Sequence, residues 1–571
     1  MIAPYIPSDW LVLLPEIALV VVAVLLAVLD VAYPAVRRNG ELGIYAGLGI
    51  AATGVLGIIF AQPGGDRTLL FGGMLRADLF AFVFRILVIF AGAMTALLSA
   101  GVRGLSRHGE YFVLLIGACL GMNFMALSAD IIMLYLALET TSIAGYVLAG
   151  FAHGDDASAE AGLKYFFFGA ATSALLVYGL SLLYGFTGET GLAAIAAAVQ
   201  GGQVPPAALL VINMLLLAGI GFKLAVVPFH FWAPDVYEGA PTPVTAFIST
   251  ASKAVGFAVL FRIMSVTVSM SAYLPPLLAA ISVLSMTLGN LAALAQRNIK
   301  RMLAYSSIAH AGYVLMAMVT VSELGTAAVV FYLLTYVVTN LAAFAVVIIF
   351  ARVSGSDEIA DYAGMSRRSP YLALAMLVAF LSLAGVPPLA GFFGKMFLFA
   401  AVVQAGLIWL AIVGVLNAIV GIYYYLIVLK VVFGAPAPEG AGPIAVPRVY
   451  SLALSVLCTT RAWRLAFNFS ESAIGAISSA CCAGSWAVAT RCSRLPAAGG
   501  CAARNCAYGL PSHKLSATHS GSAAACVSGS ATKFVPSHPK PSCRLISSTS
   551  CASSPSNAAN TAGVSRNPRS Q

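Results

Sequence analysis

FKLAVVPFHFWAPDVYEGAPTPVTAFISTASKAVGFAVLFR, residues 222–262, decides the fold. Two lysines, Lys223 and Lys253, stand in apolar helical sequence on either side of a segment with four prolines, Pro228, Pro234, Pro241 and Pro243. Proline removes a backbone donor and clashes with the preceding turn, so no uninterrupted transmembrane helix runs through this stretch. A lysine at bilayer depth costs roughly 3 kcal/mol even on the mildest insertion scales, so it is rarely kept without a task. The rest of the chain has to supply what faces these charges.

Composition sets the class. Of 571 residues, 60% are hydrophobic and 9% charged, with a mean hydropathy of +0.93, the usage of polytopic membrane proteins and not of soluble ones. The net charge of +10 does not point to nucleic acid. Residues 461–571 hold eleven Lys and Arg and the single acid Glu471, which leaves 20 basic and 20 acidic residues in 1–460. Eight of the ten cysteines also lie after residue 461, with no zinc or haem spacing among them.

The first apolar run, about Trp10 to Ala32, is long enough to cross the roughly 30 Å of bilayer hydrocarbon. Arg37 and Arg38 follow it and no basic residue precedes it, the wrong polarity for a cleaved signal peptide. Further runs follow at about 42–61, 78–99, 110–128, 130–151, 162–184, 207–227, 242–267, 273–295, 301–321, 325–351, 370–400 and 404–433, and a fourteenth starts near Pro447. With the N-terminus outside, the inner loops collect Arg37, Arg38, Arg103, Arg107, Arg297, Lys300, Arg301, Arg352, Arg367 and Arg368, against Arg67 and Arg76 in the outer loops. Basic residues concentrate on the inner side of membranes, so this asymmetry places the N-terminus outside.

Two spans are interrupted alike. LAGIGFKLAVVP surrounds Lys223 and breaks at Pro228; LAGVPPLAGFFGK leads to Lys395 and breaks at Pro387 and Pro388. Broken helices are tolerated where they line enclosed or watery cavities, and a pair of them in corresponding halves points to inverted repeats around a mid-membrane ion path.

Ionisable residues at depth are few. Glu139 lies mid-run in DIIMLYLALETTSIAGYVLAG, where it either pairs with a cation or stays protonated; Lys223 and Lys253 are its natural partners. For Lys223 the structural alternative is snorkelling to the interface, and for Lys253 a static ion pair. Lys395, past the double proline and some five residues from the outer end of its run, is a further charge at depth with snorkelling again the rival. His310, ten residues into its run, is a proton relay or a packing residue; Lys164, after Asp155, Asp156 and Glu160, marks the inner interface or feeds protons inward; His230 sits at the inner mouth or caps the broken helix. A carboxylate about 4 Å from an ammonium at an effective dielectric near 20 gains roughly 4 kcal/mol, more than the ~2.3 kcal/mol that a unit charge needs against 100 mV. One pair that tightens and loosens is therefore enough to move a proton, given an outside drive.

No fuel site is legible in the chain. There is no G-x-x-x-x-G-K-S/T phosphate loop, no G-x-G-x-x-G after a strand, no H-E-x-x-H and no cysteine cluster before Cys458.

PFHFWAPDVYEGAPTPVTAFISTASKAVGFAVLFR, with NIKRMLAYSSIAHAGY after it and AGVPPLAGFFGK later, resembles the antiporter-like membrane subunit N family of respiratory NADH-quinone oxidoreductase (complex I), over about residues 1–457. The resemblance implies an all-α polytopic fold of about fourteen helices with two inverted five-helix repeats, each holding a broken helix. The expected divisions are three N-terminal helices in 1–108, a first repeat in 109–267 broken near 220–240, a second in 268–433 broken near 383–396, and the start of helix fourteen in 434–460. It also implies a non-redox translocase subunit of a bacterial inner membrane, moving protons while partner subunits reduce quinone. NAD, FMN, Fe-S and quinone then belong to those partners, none to this chain, and the partners include sister antiporter-like subunits. By motif, Glu139 matches the family's acid on the fifth helix, Lys223 the lysine on the broken seventh, Lys253 that on the eighth and Lys395 that on the broken twelfth; Lys164, His230 and His310 match further polar positions. A multisubunit cation/proton antiporter subunit and a non-conducting structural subunit are the alternative readings. After about Cys458 the pattern departs: residues 461–571 form a Ser/Ala/Cys/Arg mixture without helical periodicity, which reads as a shifted frame or a disordered tail.

Overall fold

The computed structural model describes residues 9–33, 41–63, 69–102, 104–105, 108–267, 273–437 and 442–458. Arg37, Arg38, Arg67, Arg103 and Arg107, which carry part of the orientation argument, and the tail 461–571 lie outside the described residues. The chain divides into two units, Met1–Thr490 and Arg491–Gln571, and every described residue belongs to the first.

In chain order the helices are α1 (Leu14–Ala32), α2 (Leu42–Phe60), α3 (Leu79–Ser99), α4 (Gly109–Leu127), α5 (Ile131–Ala149), α6 (Asp156–Thr187), α7 (Leu192–Gln200), α8 (Pro206–Leu224), α9 (Trp232–Gly239), α10 (Thr242–Thr267), α11 (Leu274–Leu294), α12 (Ile299–Met318), α13 (Glu323–Ser354), α14 (Pro370–Ala384), α15 (Ala390–Gln404), α16 (Ile408–Gly434) and α17 (Arg448–Cys458). Five of these start on a polar side-chain cap that takes up free amides of the first turn. Asp130 Oδ1 accepts from the Ile132 and Met133 amides at 2.8 and 3.3 Å, and Asn298 Oδ1 from those of Lys300 and Arg301 at 2.9 and 3.2 Å.

Eleven helices among the described residues are long and apolar enough to cross a membrane, against about fourteen expected. The difference is physical. Helix α12 opens on Lys300 and Arg301, the run expected at 370–400 is two fifteen-residue helices, and α17 is eleven residues long. Helix α7 and an antiparallel strand pair, Leu69–Leu70 with Leu75–Arg76, were not expected from the apolar runs.

Burial separates core from rim. In their most apolar windows α10 and α13 are 94% and 89% buried by protein, while α1 and α6 are 22% and 28% buried and present their flanks to lipid. Helices α11 and α12 pack along their length. They can approach because Gly312 has no Cβ: one placed there would lie 2.8 Å from the Met286 amide nitrogen and 2.9 Å from the Ser282 carbonyl.

The two breaks have one local geometry. At the end of α8, Ala225 turns left-handed (φ +54°), its amide donates to Phe222 O at 2.9 Å, and the Val226 amide reaches back to Gly221 O at 3.0 Å. At the end of α14, Gly385 (φ +84°) donates to Ser382 O at 3.0 Å and Val386 to Leu381 O at 2.9 Å. Both are Schellman endings, which satisfy the last carbonyls and turn the chain aside. Pro228 and the pair Pro387 and Pro388 follow two or three residues later, so the helices end just before the prolines that prevent their continuing.

Candidate functional site

The expected charged residues fall on elements meeting at the core. Helix α8 ends with Lys223 in its last turn, 3% exposed. Its ammonium donates to Ser142 Oγ of α5 at 3.2 Å. Ser142 is three residues after Glu139, one helical turn along nearly the same face. The Glu139 carboxylate itself accepts from Ser173 of α6. The two charges thus occupy neighbouring positions without direct contact, each satisfied by a serine. The Lys223 stem crosses α10 beside Gly256, where a Cβ would come within 3.4 Å of its Cγ.

Lys253 stands three residues before Gly256 on α10, directly after a π-helical turn, Ile248–Ser252. Such turns free backbone groups from the regular ladder. Here Tyr336 OH of α13 donates to Ser249 O at 3.2 Å, and Asn340 Nδ2 donates to Ser249 Oγ at 3.0 Å. The Lys253 ammonium is 2% exposed, donates to Ser307 Oγ of α12 at 2.6 Å and lies 5.8 Å from the centre of the Tyr237 ring. A small cavity lies between Lys253, Ser307, His310, Tyr332 and Tyr336. Phe257, Val314 and Leu333 also line it, so its walls are largely apolar.

Helix α12 carries the chain onward because Ser307, His310 and Tyr313 are spaced by three and share one face. His310, 4% exposed, pairs its Nδ1 with Tyr332 OH and its Nε2 with Tyr425 OH, the latter at 3.1 Å. Lys395 of α15, 6% exposed, donates to Leu383 O and Ala384 O at 2.9 and 3.1 Å, the last carbonyls of α14 across the second break. The negative end of a helix dipole is a natural seat for a cation.

Lys164 and His230 lie off this line. Lys164 bridges Glu160 at 2.8 Å and Asp235 of α9 at 2.7 Å, and Asp235 also takes Arg301 of α12 at 2.8 Å. His230 lies in the turn between α8 and α9, its ring 4.5 Å from that of Phe231 and its Nδ1 buried without a partner. Among the described residues no group of three His, Cys, Asp or Glu side chains is arranged to hold a metal.

Sequence reasoning missed the neutral members: Ser142, Ser173, Ser307, Tyr332 and Tyr425. The three-residue spacing in SSIAHAGY was the available signal for α12. It also passed over two buried arginines in apolar runs. Arg85 of α3 makes a two-bonded pair with Glu16 of α1, at 2.9 and 2.6 Å, and Asn123 of α4 donates to the same carboxylate at 2.9 Å. Arg262 of α10 clasps Asp78 at 2.7 and 2.8 Å.

Residues 128–421 match the family described as NADH:quinone oxidoreductase/Mrp antiporter, TM. NADH-quinone oxidoreductase subunit N of Moorella thermoacetica is 46% identical over 413 residues, spanning 71% of this chain and 86% of that protein. A chain of respiratory complex I from Thermus thermophilus is 34% identical with a TM-score of 0.65, covering 81% of this chain and 99% of its own. A chain of the Mrp complex from a Dietzia species shares the fold, with a TM-score of 0.66 at 21% identity, covering 82% of this chain and 99% of its own. The family match over residues 128–421, with 46% identity to a subunit N along most of both chains, makes this chain a member of the NADH:quinone oxidoreductase/Mrp antiporter membrane family, of the subunit N type.

Proposed function

We propose that this chain translocates protons as a non-redox membrane subunit of a bacterial NADH-quinone oxidoreductase, with Glu139, Lys223, Lys253, His310 and Lys395 as its carriers. What carries the reading is the continuity from Lys223 to His310. The Lys223 stem crosses α10 beside Gly256, one turn from Lys253, and Lys253, Ser307 and His310 line one small cavity. Serine and tyrosine hydroxyls both donate and accept, so each is a link through which a proton passes between charged groups. The matching breaks in 109–267 and 268–433 support two repeats, which we take to be of inverted sense, with the N-terminus outside the inner (plasma) membrane. Lys164, bridged to Asp235 of α9, and His230, in the turn before α9, are assigned to the inner mouth on this reading.

The drive is quinone reduction in partner subunits, which hold the NAD, FMN, Fe-S and quinone sites. Sister antiporter-like subunits and the lipid surround complete the surroundings of the chain. Lys223→Ala in assembled complex tests this: quinone-reductase-linked proton pumping in membrane vesicles falls at least tenfold, on the order of one lost 1.4 kcal/mol step. Pumping equal to the unsubstituted complex sinks the assignment. Sodium- or potassium-dependent proton exchange by the purified chain favours an antiporter instead.

A further inference from the structure

We propose that the Tyr313 ring is a platform that holds the Lys395 ammonium, and that Asn290 fixes that ring in place. The inference rests on Lys395 being a proton carrier. Lys395 enters a fully buried site with no ion-pairing carboxylate among the described residues; its ammonium has two helix-end carbonyls on one side. On another side lies the Tyr313 ring, its centre 5.1 Å from Nζ. An aromatic face within about 6 Å attracts a cation through its quadrupole, most strongly where water is excluded. A carboxylate in the same place would bind the charge far more tightly. Dipoles and a ring hold an ammonium without trapping it, which suits a group that must charge and discharge.

Nothing in the packing leaves the ring free to turn away. Tyr313 OH accepts from Asn290 Nδ2 of α11 at 3.1 Å. The same amide donates to Asn417 O of α16 at 3.0 Å, and Tyr424 OH donates to Asn290 Oδ1 at 3.2 Å. Asn417 Nδ2 in turn donates to Val413 O at 3.0 Å. A buried polar cluster with its members satisfied is rigid, and this one ties three helices behind the ring. Next to Tyr313, Gly312 seats α12 against α11 at backbone distance. Lys395 is constrained from its own side as well, since a Cβ on Gly385 would lie 3.0 Å from its Cδ. The tyrosine neither gives nor takes a proton in this role; Asn290 and Tyr313 are positioning residues.

Fluorinated phenylalanines separate this from simple packing, because fluorine withdraws electron density from the ring face while changing its shape little. With Phe, monofluoro-, difluoro- and trifluorophenylalanine introduced at 313, pumping per quinone reduced is measured in vesicles and normalised to assembled complex. Tyr313→Phe lacks the hydroxyl that Asn290 holds and falls severalfold, as Asn290→Ala does; from that level the series falls further and stepwise, to about a tenth or less of the Phe value with three fluorines. Asn290→Ala, which releases the ring, falls severalfold. A flat fluorine series, with Lys395→Ala inactive, overturns the platform and leaves the carrier reading standing. Full pumping by Lys395→Ala overturns the reading beneath it.

Discussion

Asp78 shows how single residues organise charge at the membrane edge. It caps α3 through the Ala81 amide at 2.8 Å and receives both terminal nitrogens of Arg262. Burial pushes its carboxyl upward, but the Arg262 charge and hydrogen bonds, the Ala81 amide and Arg76 outweigh this and hold it below the ordinary carboxylate range. A carboxyl depressed in the fold contributes stability above its unfolded pKa of about 3.9 and loses it as pH falls through the lower folded value. Asp78→Asn is expected to lose about 2 kcal/mol at pH 7, typical of a charged hydrogen bond plus a cap. Its melting temperature in detergent should converge with that of the unsubstituted chain only below roughly pH 4; a gap that stays constant down to pH 3 counts against the assignment. At this scale Glu139, Lys223, Lys253 and Lys395 were legible because each charge is anomalous in apolar sequence. Arg85 and Arg262 met the same test and were passed over. Ser142, Ser173 and Ser307 were not legible: a hydroxyl costs little in a membrane helix, since it can bond the carbonyl a turn earlier, as Ser142 does to Leu138 at 2.8 Å.

At the scale of elements, the two breaks use the same turn with different residues. Gly385 takes the left-handed position without penalty, while Ala225 takes it with a Cβ, which costs an L-residue roughly 1–2 kcal/mol. Part of that is offset because glycine loses more freedom on folding. Ala225→Gly is therefore expected to raise thermal stability by up to about 1 kcal/mol, and Gly385→Ala to lower it by about 1–2 kcal/mol. Thermal melts of the two variants check the pair; destabilisation by Ala225→Gly contradicts the account. The sequence showed where proline interrupts the runs. It did not show that each helix stops before its prolines, because the stop is set by the Schellman bonds to Gly221, Phe222, Leu381 and Ser382. Nor did hydropathy show the π turn ahead of Lys253, whose freed carbonyl depends on Tyr336 arriving from another helix.

In the whole molecule, the Glu16–Arg85 pair fastens α1 to α3, with Asn123 joining α4, far in sequence from both breaks. Both side chains are 3% exposed. Removing one partner leaves a buried charge and costs about 3–5 kcal/mol, whereas replacing both by neutral groups of similar volume is often close to neutral. Arg85→Met alone is expected to lower the melting temperature and the yield of folded chain sharply, and Glu16→Gln with Arg85→Met to recover most of both. Equal losses in the single and double variants dispose of the clamp.

Hydropathy and proline alone were enough to show that this chain spans a membrane many times, where most of its apolar runs lie, that two of them are broken, and that Glu139, Lys223, Lys253 and Lys395 put charge inside them. Those properties are local: apolar length, proline and the cost of an ion in hydrocarbon can each be read from neighbours along the chain. What each charge touches follows from how the helices pack. Lys223 faces Ser142, Lys253 faces Ser307, and Lys395 rests on the end of α14 and the ring of Tyr313, because helices distant in sequence cross there and bring neutral dipoles within bonding distance. Pairing in a membrane core is decided by which dipole arrives within about 3 Å, and no periodicity along a single helix encodes that.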